Sequence, residues 1–85
     1  MNATRRKQLA AAYKKLETLQ QTAGELQDEL ESIRDDEQEY FDNMPEGLQG
    51  GEKGEAAELV VTNLDELIDT LENVVNAEAG WMVDI

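Results

Sequence analysis

The chain of 85 residues contains neither cysteine nor histidine. Without cysteine it forms no disulfide, thiolate nucleophile or zinc–thiolate site, a composition that suits a reducing cytoplasm. Without histidine it lacks the commonest general base and the commonest metal ligand. An enzyme built from carboxylates alone needs a shaped pocket, for which so short a chain has little room. We therefore expect a protein that is not an enzyme and holds no cofactor.

The spacing of the acidic residues and glycines argues against ion and phosphate sites. The acidic run DDEQEYFDN, residues 35–43, lacks the central glycine of a calcium loop. No lysine followed by serine or threonine closes a phosphate-binding pattern after the glycines of residues 47–54. Di-iron sites in helical bundles need histidines beside glutamates. We expect no metal site and no small-molecule substrate.

Proline occurs once and aromatic residues are scarce, whereas leucine, alanine, glutamate and glutamine are abundant. This composition favours helices, and the length allows one domain at most. The polar and charged stretch from Tyr13 to Glu17 interrupts the apolar residues near the N-terminus. We therefore expect neither a signal peptide nor a membrane span, and a cytoplasmic location.

Apolar residues recur every seven positions from Leu9 onward. One series contains Leu9, Leu16, Ala23, Leu30, Glu37 and Met44, and the other contains Ala12, Leu19, Leu26, Ile33 and Tyr40. About five uninterrupted heptads predict one long helix, over about residues 4–43, whose apolar stripe faces a partner helix.

Residues 44–53 predict a turn, because they hold Pro45 and three of the six glycines. A second helix is expected over about residues 55–79, with Gly80 ending it. Its apolar series are Ala57, Leu64 and Leu71, then Val60, Leu67 and Val74, with Val61, Ile68 and Val75 widening the stripe. The predicted fold is all-α: an antiparallel, coiled-coil-like two-helix hairpin with an apolar tail at residues 80–85.

Two alternatives concern breaks in these helices. Thr22 and Glu25 have capping-box spacing around Gly24, which would split the long helix. Asn63 and Glu66 pose the same question in the second helix, where the preceding residues 60–62 also suit a short strand. The heptad phase runs through both places and favours continuous helices.

The two predicted helices differ in length, at about 60 Å and about 37 Å if each residue adds roughly 1.5 Å. The start of the long helix is therefore left without a partner, and a two-helix core is thin. A homodimer that forms a four-helix bundle solves both problems. The residues we expect to mediate self-association are Leu9, Tyr13, Leu16, Val61, Ile68, Val75 and Trp81. Alternatively, the apolar tail folds back on the unpaired stretch.

Charge is divided unevenly along the chain, whose net charge is −13. Residues 1–15 carry five cations and no acid, whereas the remainder carries 20 acids against Arg34 and Lys53. The basic segment opposes the helix macrodipole, so helix stability does not explain it. We expect it to meet acids of a sister chain, or an acidic partner; direct nucleic-acid binding is the least favoured role.

Acids are densest from Glu25 to Glu46. One interpretation is a solvated face that keeps the chain soluble. The other is that the carboxylates imitate nucleic-acid phosphates and bind a basic groove. The expected partner-binding residues are then Asp35, Asp36, Glu39, Asp42, Tyr40 and Phe41. The structural alternative for Tyr40 and Phe41 is that their side chains pack inside the turn.

The string YFDNMPEGLQGGEKGEAAE, followed by NLDELIDTLENV, resembles small acidic proteins of phages and prophages over about Tyr40 to Val75. The resemblance implies a host bacterial cell, where such proteins, most of them without an assigned function, interfere with host defence systems or regulate phage processes. We expect a phage-encoded inhibitor of a nucleic-acid-binding defence complex, of the anti-CRISPR or anti-restriction type. The alternatives are a structural or regulatory homo-oligomeric coiled coil and a small antitoxin or transcription-associated regulator.

Overall fold

The computed structural model describes residues 1–85, and the predicted all-helical fold is confirmed. Its helices are α1 (Ala3–Asp42), α2 (Glu46–Gln49), α3 (Glu52–Val75) and α4 (Trp81–Asp84), without any strand. The Cα extents are 66 × 16 × 14 Å. The radius of gyration is 19.7 Å, whereas a compact domain of this length has about 12 Å. The chain is therefore an extended helix pair.

Helix α1 is continuous over 40 residues. It begins where the Asn2 side chain accepts a hydrogen bond of 2.8 Å from the Arg5 backbone N–H. It passes through Gly24 without a break, so the alternative of two shorter helices is wrong. It ends at Asp42, shortly before Pro45, because a proline disfavours helical geometry in the residue before it.

Helix α3 starts and ends earlier than the sequence predicts. It begins at Glu52, rather than near residue 55, after the extended residue Gly51. It ends at Val75 instead of residue 79, so Gly80 does not terminate it and instead precedes α4. It is helical throughout residues 60–66, so neither the break nor the short strand occurs there. The predicted turn at residues 44–53 contains α2 and the first residues of α3.

Helices α1 and α3 lie side by side and run in opposite directions. The Gln27 amide donates to the Ile68 carbonyl at 3.0 Å. Nearer the turn, Arg34 lies 2.9 Å from the Asp65 carboxylate. Helix α4 packs against α1, and α2 packs against α3. Because α3 ends beside Gln20, α4 lies against the stretch of α1 that precedes this residue.

The residues of α1 that face α3 and α4 form two seven-residue series, only one of which was predicted correctly. The first contains Leu9, Leu16, Ala23, Leu30, Glu37 and Met44, as expected, and the second contains Tyr13, Gln20, Gln27, Arg34 and Phe41. The predicted second series is wrong, because Ala12, Leu19, Leu26, Ile33 and Tyr40 are exposed. Polar seam residues are tolerated because Gln20, Gln27 and Arg34 find partners on α3.

Helix α3 shows the same one-residue rotation. The residues that face α1 are Gly54, Ala57, Val61, Leu64, Ile68, Leu71 and Val75. Val60 and Leu67, which were predicted to face α1, are exposed. Only Ala23, Gly54, Ala57 and Ile68 are buried among 85 residues. The helix pair therefore has a thin core.

Candidate interaction surface

The paired helices have two opposite flanks, one apolar and one acidic. In an antiparallel helix pair, the row that directly precedes Tyr13, Gln20 and Gln27 on α1 lies beside the row that directly precedes Val61 and Ile68 on α3. On the opposite side, the row that directly follows the other seam series of α1 lies beside the equivalent row of α3. The apolar flank consists of Ala12, Leu19, Leu26, Ile33 and Tyr40 of α1 with Val60, Leu67 and Val74 of α3. The acidic flank consists of Glu17 and Glu31 of α1 with Glu58, Asp65 and Glu72 of α3.

Two surface depressions support this division. Tyr40 and Lys53 line the same depression beside the turn, together with Met44 and Leu48. Gln38 and Glu58 line another depression, which lies on the acidic side of the seam. Side chains of α1 and α3 therefore meet on each flank as the helix geometry requires.

The apolar flank is solvent-exposed although it consists of large hydrophobic side chains. The exposed fractions are 55% for Leu19, 39% for Leu26, 53% for Ile33 and 47% for Leu67. Only Val74 is half-buried among its α3 members. No acid belongs to either row, although the chain has 20 acids. The α1 row extends over roughly 40 Å, from Ala12 to Tyr40, which is long enough for a partner helix to bind along it.

One cation, Arg34 of the seam, borders the acidic flank. Arg34 Nη1 donates to Asp65 at 2.9 Å, and Nη2 donates to Asp35 at 3.0 Å. The hydrogen bond that Arg34 donates to Asp65, followed by the one that it donates to Asp35, raises the pKa of Arg34 above its ordinary value, so the guanidinium stays charged. The remaining acids have no ion-pair partner, and none is buried. The carboxylates of Glu17, Glu31, Glu58 and Glu72 are therefore not neutralised by any cation of the chain.

The six residues predicted to bind a partner do not share one face. Asp35, Glu39 and Asp42 are exposed on the part of α1 that faces away from the apolar flank. Asp36 lies beside the apolar flank, and Tyr40 belongs to it. Phe41 is instead half-buried in the seam, and the Gln49 amide donates to its carbonyl at 3.2 Å. The aromatic pair is therefore divided between the seam and the surface.

Most of the residues predicted to mediate self-association pack against other helices of the same chain. Ile68 is buried, and Val61 and Val75 are half-buried on the side of α3 that faces α1, so these three residues pack within the chain, and their role in self-association stays a prediction. Leu9, Tyr13 and Leu16 are half-buried in the stretch of α1 where α4 packs. Trp81 remains 58% exposed. The apolar tail thus folds back on α1, which was the alternative considered for it.

The apolar flank was not predicted from the sequence, because its side chains also fit seam positions. A signal was present, since Gln20, Gln27 and Arg34 each follow a large apolar residue at heptad spacing. A glutamine amide can donate hydrogen bonds to backbone carbonyls of a neighbouring helix. A series that contains glutamines therefore fits a seam as well as a series of apolar residues does.

The basic segment forms a separate feature at the free end of α1. Arg5, Arg6, Lys7, Lys14 and Lys15 are all exposed and make no ion pair. A shallow depression lies beside them, lined by Met1, Arg5, Gln8, Leu9 and Ala12. The free end of α1 therefore presents cations around a small apolar hollow.

No group of three or more acidic side chains is arranged to hold a metal ion. No helix has the length and apolarity needed to cross a bilayer. Comparison of the chain with family models, with curated proteins and with solved structures gave no match.

Proposed function

We propose that this chain is a non-enzymatic protein-binding module whose acidic surface occupies the basic groove of a nucleic-acid-binding protein. Its working form is a helical hairpin that associates into a homodimeric bundle. The partner is a protein with a basic surface, and the module inhibits it by excluding DNA or RNA. The resemblance to phage proteins makes a host defence complex, of the kind targeted by anti-CRISPR or anti-restriction proteins, the partner we propose.

The density of charge along α1 carries this proposal. Between Glu25 and Asp42 the helix has nine acids and one cation, Arg34. These residues span roughly 26 Å, so there is about one net negative charge per 3 Å of helix axis. A single strand of DNA carries one charge per roughly 3.4 Å. A groove built for a nucleic-acid strand therefore meets a comparable linear charge density on this helix.

The rigidity of the acidic surface also supports the proposal. The carboxylates lie on one continuous helix of 40 residues rather than on a loop. Binding therefore costs little ordering entropy, unlike binding of a disordered acidic tail. The apolar flank favours a second candidate function, that of a structural homo-oligomer, in which the acids only keep the assembly soluble.

Affinity capture followed by competition tests the proposal. The chain is immobilised, a nuclease-treated bacterial lysate is passed over it, and the retained protein is identified by mass spectrometry and purified. We expect this protein to bind DNA or RNA and to release it when the chain is added. Binding between the two proteins should weaken steeply as salt is raised, because counterions are exchanged as in nucleic-acid binding.

Two matched variants make the test specific. The first neutralises Glu25, Asp28, Glu39 and Asp42 with the corresponding amides, and we expect competition to be lost. The control neutralises Glu66, Asp69, Glu78 and Asp84, which are also exposed and give the same change in net charge. Equal loss in both variants would mean that net charge alone matters. A captured partner that binds no nucleic acid would contradict the proposed function.

A further inference from the structure

We infer that the apolar flank is the interface with a second copy of this chain, and that the two copies lie with their turns at opposite ends. This inference rests on the self-association part of the proposed function and specifies its residues and register. It does not depend on the acidic surface, because it is tested by oligomeric state rather than by partner binding.

The exposed area of the single chain supports a second copy. The accessible surface is 6385 Å², whereas a compact monomer of 9.5 kDa exposes about 5,000 Å². The excess of roughly 1,300 Å² exceeds the 800 Å² or so that each partner buries in a standard protein interface. One interface along the apolar flank is therefore enough to lower the exposed area of each chain to that of a compact protein of the same mass.

A twofold axis fits both apolar rows at once. Leu26 is the middle residue of the α1 row, and Leu67 is the middle residue of the α3 row. Each directly precedes a seam residue of the Gln27–Ile68 contact, so the two leucines lie at the same level of the pair. An axis through this level, perpendicular to the helices, superimposes the α1 row on its copy and the α3 row on its copy.

Side-chain sizes match in this register. Along α1, Leu26 meets Leu26 of the second copy, Leu19 meets Ile33, and the small Ala12 meets the large Tyr40. The hollow beside Ala12 is open, with Met1 and Leu9 in its lining. A tyrosine ring of the second copy therefore has a place to insert, in the manner of a knob into a hole.

Charges favour the same orientation. Turns at opposite ends bring the basic segment of one copy beside the C-terminal end of α1 and the turn of the other copy. Lys15 then lies near Asp36, and the stretch of Arg5, Arg6 and Lys7 points toward the turn of the second copy. In the reverse orientation, α1 of one copy would face α3 of the other, and both segments of five cations would lie at the same end of the assembly. On the α3 side, the rim consists of the uncharged Ala56, Asn63 and Thr70, so the two α3 helices approach without repulsion.

This arrangement has a consequence for the proposed function. The apolar flanks face each other, so the acidic flanks point outward on opposite sides of the assembly. The stretch of each α1 that precedes Gln20, against which α4 packs, also lies beside the turn end of the second copy. The dimer is therefore bivalent, with two equivalent acidic faces.

Sedimentation equilibrium of a Leu26→Glu variant tests the interface. The wild-type chain should have twice the mass of 9.5 kDa, and the variant should dissociate, with a dissociation constant raised roughly a hundredfold or more. Leu59→Glu is the matched control, because Leu59 is 60% exposed but lies off the flank. It should remain dimeric. A monomeric wild type, or a dimeric Leu26→Glu variant, would overturn the inference.

Cross-linking tests the register and covers the possibility that Leu26→Glu fails to fold. The chain has no cysteine, so a single introduced cysteine can cross-link only to the same cysteine of a second copy. We expect Leu26→Cys to form a covalent dimer with a short bis-maleimide, because residue 26 meets its own copy. Ala12→Cys and Tyr40→Cys should each fail alone, and their mixture should cross-link. Cross-linking of Leu59→Cys but not of Leu26→Cys would exclude this interface, and self-linking of Ala12→Cys would exclude this orientation.

Discussion

The Gln20 amide nitrogen lies 3.0 Å from the carbonyl oxygen of Val74 and 2.9 Å from that of Ala77, so a residue of α1 caps the end of α3. The last carbonyls of a helix have no partner within the helix. Gln49 acts similarly at the end of α1, where it donates to the carbonyl of Phe41. Glutamine side chains thus hold both long helices at their C-terminal ends.

Replacing Gln20 with alanine should destabilise the fold. The loss of these hydrogen bonds is expected to lower the free energy of unfolding by about 1–2 kcal/mol. Gln21→Ala is the control, because Gln21 is exposed and makes no side-chain hydrogen bond. Urea unfolding followed by circular dichroism measures both. Equal stability of the two variants would show that the cap contributes nothing.

Two glycine substitutions should have opposite effects. A Cβ atom at Gly54 would overlap the Gln49 backbone, so Gly54→Ala should lower the free energy of unfolding by about 1–3 kcal/mol. A Cβ atom at Gly24 would meet nothing within 4 Å. Gly24→Ala should therefore raise stability by up to about 1 kcal/mol, because alanine favours the helix. Thermal unfolding tests the pair, and a destabilised Gly24→Ala variant would disagree with a continuous α1.

Exchanging charges between Lys15 and Asp36 should test the ion pairs expected between two copies. Lys15→Glu and Asp36→Lys should each weaken the dimer, because like charges then face each other across the rim. The double variant should recover most of the wild-type affinity. Dissociation constants from sedimentation measure the effect, which should shrink at high salt. Additive weakening in the double variant would be inconsistent with this register.

Salt should stabilise the chain while weakening its binding to a basic partner. Raising ionic strength from about 0.01 M to about 0.15 M shortens the screening length from roughly 30 Å to roughly 8 Å. Because the net charge is −13, screening should relieve self-repulsion and raise the melting temperature. Calorimetry in sodium chloride checks this. A falling melting temperature would mean that attractive ion pairs outweigh the repulsion.

Much of the architecture could be predicted from local features. Pro45 and the glycines after it indicated the turn region, and the heptads indicated long helices because helix periodicity is a local property of the chain. The phase of the seam could not be predicted in the same way. Leu19 and Gln20 are adjacent, and either suits a seam position if the glutamine finds carbonyls on the neighbouring helix. The carbonyls that Gln20 reaches belong to Val74 in the last turn of α3 and to Ala77 just after the helix, more than fifty residues away.

The interaction surfaces, like the architecture, were predictable only in part. The abundance of carboxylates and the basic segment are properties of composition, and the sequence by itself determined them. The tertiary structure decided which side chains face outward, since a rotation of one residue, about 100° around a helix, moves a whole row from the seam to the surface. In α3, Ile68 is buried in the seam and Leu67 is exposed to solvent. An amphipathic stripe specifies that a helix needs a neighbour, but only packing against that neighbour selects the rows that become buried.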